Sequence, residues 1–172
     1  MEEIWKPITG FEDYFVSNLG RVRSEKMQVS RIMTQGHDKD GYMCVNLSYL
    51  GRKTNIRVHC QVAREFIDNP NNLPCVDHID QSKTNNHIIN LRWCDKSQNG
   101  GNRRINRNSV SGFKGVRRGP NGNWTAIINC AGIKHRLGIF RDPREAAAAY
   151  NTAALHYFGE FASINDLNVQ QP

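Results

Sequence analysis

Residues 76–99 read VDHIDQSKTNNHIINLRWCDKSQN. An acid and an imidazole stand side by side in it, Asp77-His78. Asn90 follows His78 by twelve residues, and Asn99 follows Asn90 by nine. Histidine titrates nearest neutrality, so it can take a proton from water under ordinary conditions. Carboxylate and amide oxygens suit a hard divalent cation, Mg²⁺ or Mn²⁺, with water and phosphate oxygens completing the shell. A base, a cation that absorbs charge on a departing oxygen, and a fixed geometry are what breaking a phosphodiester requires. The same residues also permit a blander arrangement, a loop pinned by Asn side chains with His78 packed beneath it.

Neighbouring strand residues point to opposite faces, so Asp77 and His78 cannot face the same way within a regular strand. The pair is therefore expected where a short strand, entered through Cys75-Val76, ends and the chain turns. Gln81 to Asn90 is polar and rich in Asn, which suits a long loop, and Leu91-Arg92-Trp93-Cys94 reads as the returning strand. Asp95 is placed to cap a following helix, with Gln98 at the reciprocal position of a capping box. That helix would carry Asn99, and Gly100-Gly101 would weaken or stop it. Upstream, Val58, Val62, Ala63, Phe66 and Ile67 fall at helical spacing, with Pro70 and Pro74 breaking the chain behind them.

The whole string, with Asn85-Asn86 and Asn90-Leu91-Arg92-Trp93, resembles the His-Asn-His (HNH, or ββα-metal) nuclease motif, in a variant whose last His is Asn. The resemblance implies that His78 is the general base, that Asp77 and Asn99 ligate the metal, and that Asn90 ties the loop and orients His78 without touching the ion. It implies 5′-phosphate and 3′-hydroxyl products. Related nucleases also carry a His shortly before the core; His59 stands there, and would either join His78 in catalysis or only pack.

The charge distribution points to the partner. The chain of 172 residues has a net charge of +7. Residues 1–99 are nearly neutral, with 13 basic against 12 acidic residues. Residues 100–136 hold eight basic residues and no acid: Arg103, Arg104, Arg107, Lys114, Arg117, Arg118, Lys134 and Arg136. One contiguous basic stripe is the footprint of a nucleic-acid binder, double-stranded DNA being the expected partner. The five cysteines are odd in number and lack any C-x-x-C pair, so neither a disulfide framework nor a structural zinc is expected. MEEIWKPITG lacks the basic and apolar regions of a signal peptide, and no run reaches membrane-spanning length, so a cytosolic location is expected.

The expected fold class is α+β in segments. Residues 1–50 read as a small β-rich module, in which Phe11–Val16, the Ser17-Asn18-Leu19-Gly20 turn and Arg21-Val22-Arg23 make strand, turn, strand. EIWKPITGFEDYFVSNLGRVRS resembles a modular domain found at the N-terminus of phage and intron HNH endonucleases; structural support and an accessory DNA contact both remain open for it. Residues 51–99 would form the nuclease core and 100–110 a basic linker tracking DNA. In 111–172, Phe113–Arg118, Trp124–Cys130 and Lys134–Phe140 read as a three-stranded antiparallel meander. Asp142-Pro143 then opens an Ala-rich helix, closed by Gly159, that would pack on the sheet. This part, with Gly115-Val116-Arg117, Trp124, Leu137-Gly138, Phe140 and Asn165, resembles the Apetala-type domain of plant ethylene-response factors. The resemblance implies a sheet in the major groove, with Lys114, Arg117, Lys134 and Arg136 at contact positions; Arg118 is added by position and charge, and Trp124 is assigned to the core. Gly119, Asn121, Ile127 and Asn129 differ from the plant pattern, so another target sequence is expected. The whole reads as a site-specific homing endonuclease acting as a monomer on DNA. The alternatives are a non-enzymatic DNA-binding regulator on a relic nuclease fold and, less in keeping with a major-groove reader, an RNA-processing nuclease.

Overall fold

The computed structural model describes residues 1–106 and 108–168. Among the described residues, twelve short strands and three α-helices make a mixed α+β structure of small antiparallel sheets, and the chain divides into two compact units, Met1–Cys94 and a second that starts at Asp95.

In the first unit, β1 (Trp5–Ile8), β2 (Phe11–Ser17), β3 (Val22–Ser24) and β4 (Arg31–Ile32) form one sheet in sequence order. The predicted strand-turn-strand over 11–23 is the β2–β3 hairpin. β5 (Gly36–His37), β6 (Met43–Tyr49) and β7 (Arg52–Arg57) form a second sheet. Position 50, where the sequence divides the modular domain from the nuclease core, falls in the β6–β7 turn. The hairpin pairs Cys44 with Arg57 through Tyr49 with Arg52. One core accordingly joins Ile8, Val16 and Val22 to Val45, Leu47, Val58, Val62 and Leu91. Each such aliphatic side chain contributes about 1.5–3 kcal/mol when fully buried, so the strands before residue 50 and the helix after it stabilise each other.

The helix α1 (Val58–Phe66) presents Val58, Val62 and Ala63 to this core at the predicted spacing. Its end is closed by Trp93, whose indole N–H donates to the Ile67 carbonyl at 2.9 Å. β8 (Cys75–His78) and β9 (Leu91–Cys94) pair antiparallel, with Asp77 opposite Arg92 and His78 opposite Leu91. His78 is the last residue of its strand, as the alternation argument requires.

The second unit opens with α2 (Lys96–Gly101), capped as predicted: the Asp95 carboxylate accepts from the Ser97 and Gln98 amides, and Gln98 Oε1 accepts from the Asp95 amide. The helix takes in Gly100 and Gly101 and ends there, where the sequence leads one to expect it to weaken or stop. A Cβ on Gly101 would stand 2.6 Å from Phe158 Cγ, so glycine there allows close packing. β10 (Val116–Arg118), β11 (Trp124–Cys130) and β12 (Ile133–Phe140) form the expected antiparallel sheet, packed on α3 (Pro143–Phe158). Asp142 caps α3 through the Arg144 amide at 2.7 Å, and Ala146, Ala147, Tyr150 and Ala154 are its buried positions. Trp124 lies against this core, as assigned.

Candidate functional site

The chain turns sharply after His78. The Gln81 amide donates to the His78 carbonyl and the Ile79 amide to the Asn90 carbonyl, both at 2.9 Å. Asn90 holds the loop: its Oδ1 accepts from the Asp80 amide at 3.0 Å, and its Nδ2 donates to Asp80 Oδ1 at 2.9 Å and the Asn85 carbonyl at 2.8 Å. These contacts tie the loop to Asn90. The amide oxygen that meets the His78 ring is Asn86 Oδ1, 2.9 Å from Nε2. An amide oxygen only accepts, so Nε2 donates and the lone pair of the neutral ring lies on Nδ1. Sequence reasoning quoted Asn85-Asn86 but assigned no role to Asn86.

Asp77 and His78 are both almost fully buried. Asp77 Oδ2 accepts from Arg92 Nε at 3.0 Å and forms an ion pair with Arg92 Nη2 at 3.0 Å, a pairing that the cross-strand register sets up. Arg92 is a second residue whose part was not read from the sequence.

His59, on the first turn of α1, stands with its ring centre 4.8 Å from that of His78. Burial first, then the neighbouring His78 and Arg57, pulls its pKa down to about 3. Its Nδ1 is buried without a hydrogen-bond partner, and Nε2 is 3.4 Å from Cys60 Sγ. A ring so hard to protonate is a poor acceptor for a water proton near neutrality, and its position suits it to brace His78. One consequence is measurable. The folded chain resists protonating His59 until about pH 3, while the unfolded chain binds that proton near the ordinary 6.5. Its contribution is therefore complete above pH 6.5 and is lost progressively as pH falls towards 3, by at most about 1.4 kcal/mol per pH unit. Denaturant midpoints should drop between pH 7 and pH 5, and His59→Gln should remove most of that drop. Equal wild-type midpoints would show that His59 titrates normally.

In the second unit, Asn99 lies half-buried on α2, its amide donating to the Asp95 carbonyl at 3.0 Å. Within this unit a cavity of about 640 Å³ is lined by Arg103, Arg104, Lys114, Arg117, Arg118 and Lys134, with Phe113 and Tyr150 among its apolar walls. Arg103 and Arg104 lie on the linker, Lys114 just before β10, Arg117 and Arg118 on β10 and Lys134 on β12. Register groups three basic residues of the sheet: Arg117 opposes Thr125, Arg136 opposes Ile127 and Lys134 opposes Asn129, so strand alternation places these three on one sheet face. Val116, Ala126 and Ile128 are buried in the unit's interior. Arg118 shares the alternate face with Val116 and stacks its guanidinium 5.6 Å over the Trp124 ring. Lys114 turns inward: its ammonium donates to the Gly101 carbonyl, and burial, with Arg103 adding to it, pulls its pKa down to about 8. Arg103, Arg104, Arg117, Lys134 and Arg136 are exposed. Arg107 lies outside the described residues.

Among the described residues, no three His, Cys, Asp or Glu side chains gather as a metal cluster. The implied set, one carboxylate and one amide oxygen, is of another kind. An all-oxygen set rich in water fits a hard divalent ion. No helix among the described residues is long and apolar enough to cross a membrane.

Comparison with known proteins agrees with this anatomy. Residues 3–48 match the NUMOD4 motif. Two HNH endonucleases of Acanthamoeba polyphaga mimivirus are similar to the chain. One is 39% identical over 93 residues, 54% of this chain and 28% of the relative. The other is 38% identical over 93 residues, 54% of this chain and 48% of the relative. The chain thus spans less than half the length of either. An ethylene-responsive transcription factor of Arabidopsis thaliana is 43% identical over 58 residues, 31% of this chain and 36% of the relative. Among solved structures, that of the HNH homing endonuclease I-HmuI, described for DNA binding and cleavage, superposes with a TM-score of 0.51 at 38% identity, covering 58% of this chain and 56% of that one. The chain therefore carries a NUMOD4 motif and is similar both to HNH endonucleases and to plant AP2/ERF proteins.

Proposed function

We propose that this chain is a site-specific, metal-dependent DNA endonuclease of homing type, working as a monomer on double-stranded DNA in a reducing cytosol. The observation that carries the reading is His78 at the end of β8, with Nε2 committed to Asn86 and Asp77 beside it in the chain. Nδ1 of His78 is the atom that would take the proton of the attacking water. Asn86 fixes the tautomer, Asn90 holds the loop that presents Asn86, and His59 braces the ring without competing for the proton. Asp77 and Asn99 would hold the cation, which when bound stabilises negative charge on the departing 3′ oxygen. The ends left would be 5′-phosphate and 3′-hydroxyl.

Residues 1–50 and 51–99 would serve the chemistry, 100–110 would follow the DNA backbone, and 111–172 would read bases. Cleavage of plasmid DNA with Mg²⁺ or Mn²⁺, abolished by EDTA, tests the reading. Sequence-selective binding with no cutting under either metal would favour the non-enzymatic regulator.

The basic residues should divide by role. Arg117→Ala should relax preference at one base position, at a discrimination cost of about 1–3 kcal/mol. Arg104→Ala should weaken all sequences alike and lower the salt slope by about one. Selections from randomised duplexes at two salt concentrations measure both. An Arg117→Ala protein with unchanged preference would remove the sheet from the reading surface.

A further inference from the structure

The motif at residues 3–48 has contacts that reach the His78 site from two directions. The first is the turn between β2 and β3. Gly20 sits in it at φ +81°, and a Cβ there would stand 2.6 Å from Asn86 Cβ and 3.0 Å from the Asn86 carbonyl oxygen. Only glycine tolerates both that backbone and that approach. Beside it, the Ile88 amide donates to the Asn18 carbonyl at 2.8 Å. Asn18 is itself fixed, its Oδ1 accepting from the Ile4 amide at 2.8 Å. The loop that carries Asn86 is therefore seated on the β2–β3 turn.

The second is Tyr42, at the start of β6. Its ring lies 5.9 Å from that of His78 at an interplanar angle of 27°, and 4.8 Å from that of His59 at 30°. The plane of Tyr42 is held in turn. Asp38 Oδ1 accepts from the Tyr42 amide at 2.9 Å, and Asp38 Oδ2 binds Arg57 at 2.6 Å. The Arg57 guanidinium stands 4.5 Å from the Tyr42 ring centre and the Lys83 ammonium 4.7 Å. Lys83 also donates to the Asp40 carbonyl at 2.6 Å.

We propose that the NUMOD4-matching segment is a positioning module for His78: the Asn18–Gly20 turn seats Asn86, which fixes the ring's tautomer, and Tyr42 forms the plane against which the ring is stacked. This rests on His78 being the base. It gives the segment a part in the rate of cleavage, distinct from an accessory DNA contact, and it makes Gly20 and Tyr42 positioning residues.

The test uses the full chain with Gly20→Ala, Tyr42→Leu and Tyr42→Phe. DNA affinity is measured in EDTA, and single-turnover cleavage at saturating DNA with Mg²⁺. The His78 Nε2–H proton, slowed in exchange by Asn86, is followed by NMR in metal-free protein. Gly20→Ala and Tyr42→Leu should slow cleavage by up to about 10²-fold, the scale of a misplacement remote from the chemistry, with affinity nearly unchanged. Both should speed exchange of the Nε2–H, and Tyr42→Phe, which keeps the ring, should restore both properties. Weakened affinity with an unchanged saturating rate would overturn the proposal in favour of a DNA contact. A Tyr42→Phe protein as slow as Tyr42→Leu would overturn the part given to the plane. Should Gly20→Ala fail to fold, the Tyr42 pair decides alone. If the wild type cuts nothing, the reading of His78 as base fails, while the Nε2–H signal still reports whether the segment positions the ring.

Discussion

Replacing His78 with Ala lowers the single-turnover rate of DNA cleavage by about 10²–10⁴-fold, the usual worth of a general base, while DNA binding in EDTA stays close to wild type. The expectation follows from the tautomer. Asn86 Oδ1 holds Nε2 as the donor, which leaves Nδ1 as the nitrogen that would take the proton. His59 cannot take over, because burial holds its pKa near 3. The Ala variant also empties space against Tyr42 and His59, at a stability cost of about 1–3 kcal/mol, so its melting midpoint must be measured alongside. Cleavage within a few-fold of wild type by a folded His78→Ala protein would take His78 out of the mechanism.

The local architecture of the site was legible because each step rests on short-range physics. Alternation put Asp77-His78 at a strand end, the Asp95/Gln98 spacing gave the capping box, and turn residues gave the β10–β12 meander. What stayed hidden depends on contacts between distant segments. Nothing in the string SNLGR announces that Gly20 lies against Asn86, sixty-six residues later in the chain. A Tyr before an apolar strand reads as core until the fold sets it beside two imidazoles. The division at residue 50 follows strand and turn patterning and a resemblance, and the β6–β7 hairpin and a shared core that cross it depend on long-range pairing. Gly100-Gly101 mark the end of α2 as local propensity suggests, but the Phe158 ring that packs against Gly101 lies fifty-seven residues away. Lys114 was grouped with the DNA contacts by charge and resemblance, and only the fold shows its ammonium turned to the Gly101 carbonyl.

Removing the charge of Asp77 should be as damaging to cleavage as removing His78, for a different reason. Asp77 is the one charged member of the proposed ligand set, and loss of an electrostatic stabiliser of this kind costs about 10²–10³-fold in rate. The choice of variant matters, because Asp77 also accepts a hydrogen bond from Arg92 Nε and pairs with its Nη2, the Arg92 side chain being 16% exposed. Asp77→Ala strands that guanidinium, and breaking a buried pair costs up to about 3–5 kcal/mol, so lost activity would be confounded with lost structure. Asp77→Asn keeps the shape and an oxygen acceptor for Arg92 while removing the charge. It should stay folded, cut slowly even at saturating metal, and need more Mg²⁺ or Mn²⁺ for half-maximal rate. Asn99→Ala should shift the same titration less, since an amide oxygen carries no formal charge. EDTA should stop the wild type without lowering its melting midpoint. If folded Asp77→Asn protein matched wild type in both maximal rate and metal requirement, Asp77 would be a structural partner of Arg92 and the cation would have to be held elsewhere.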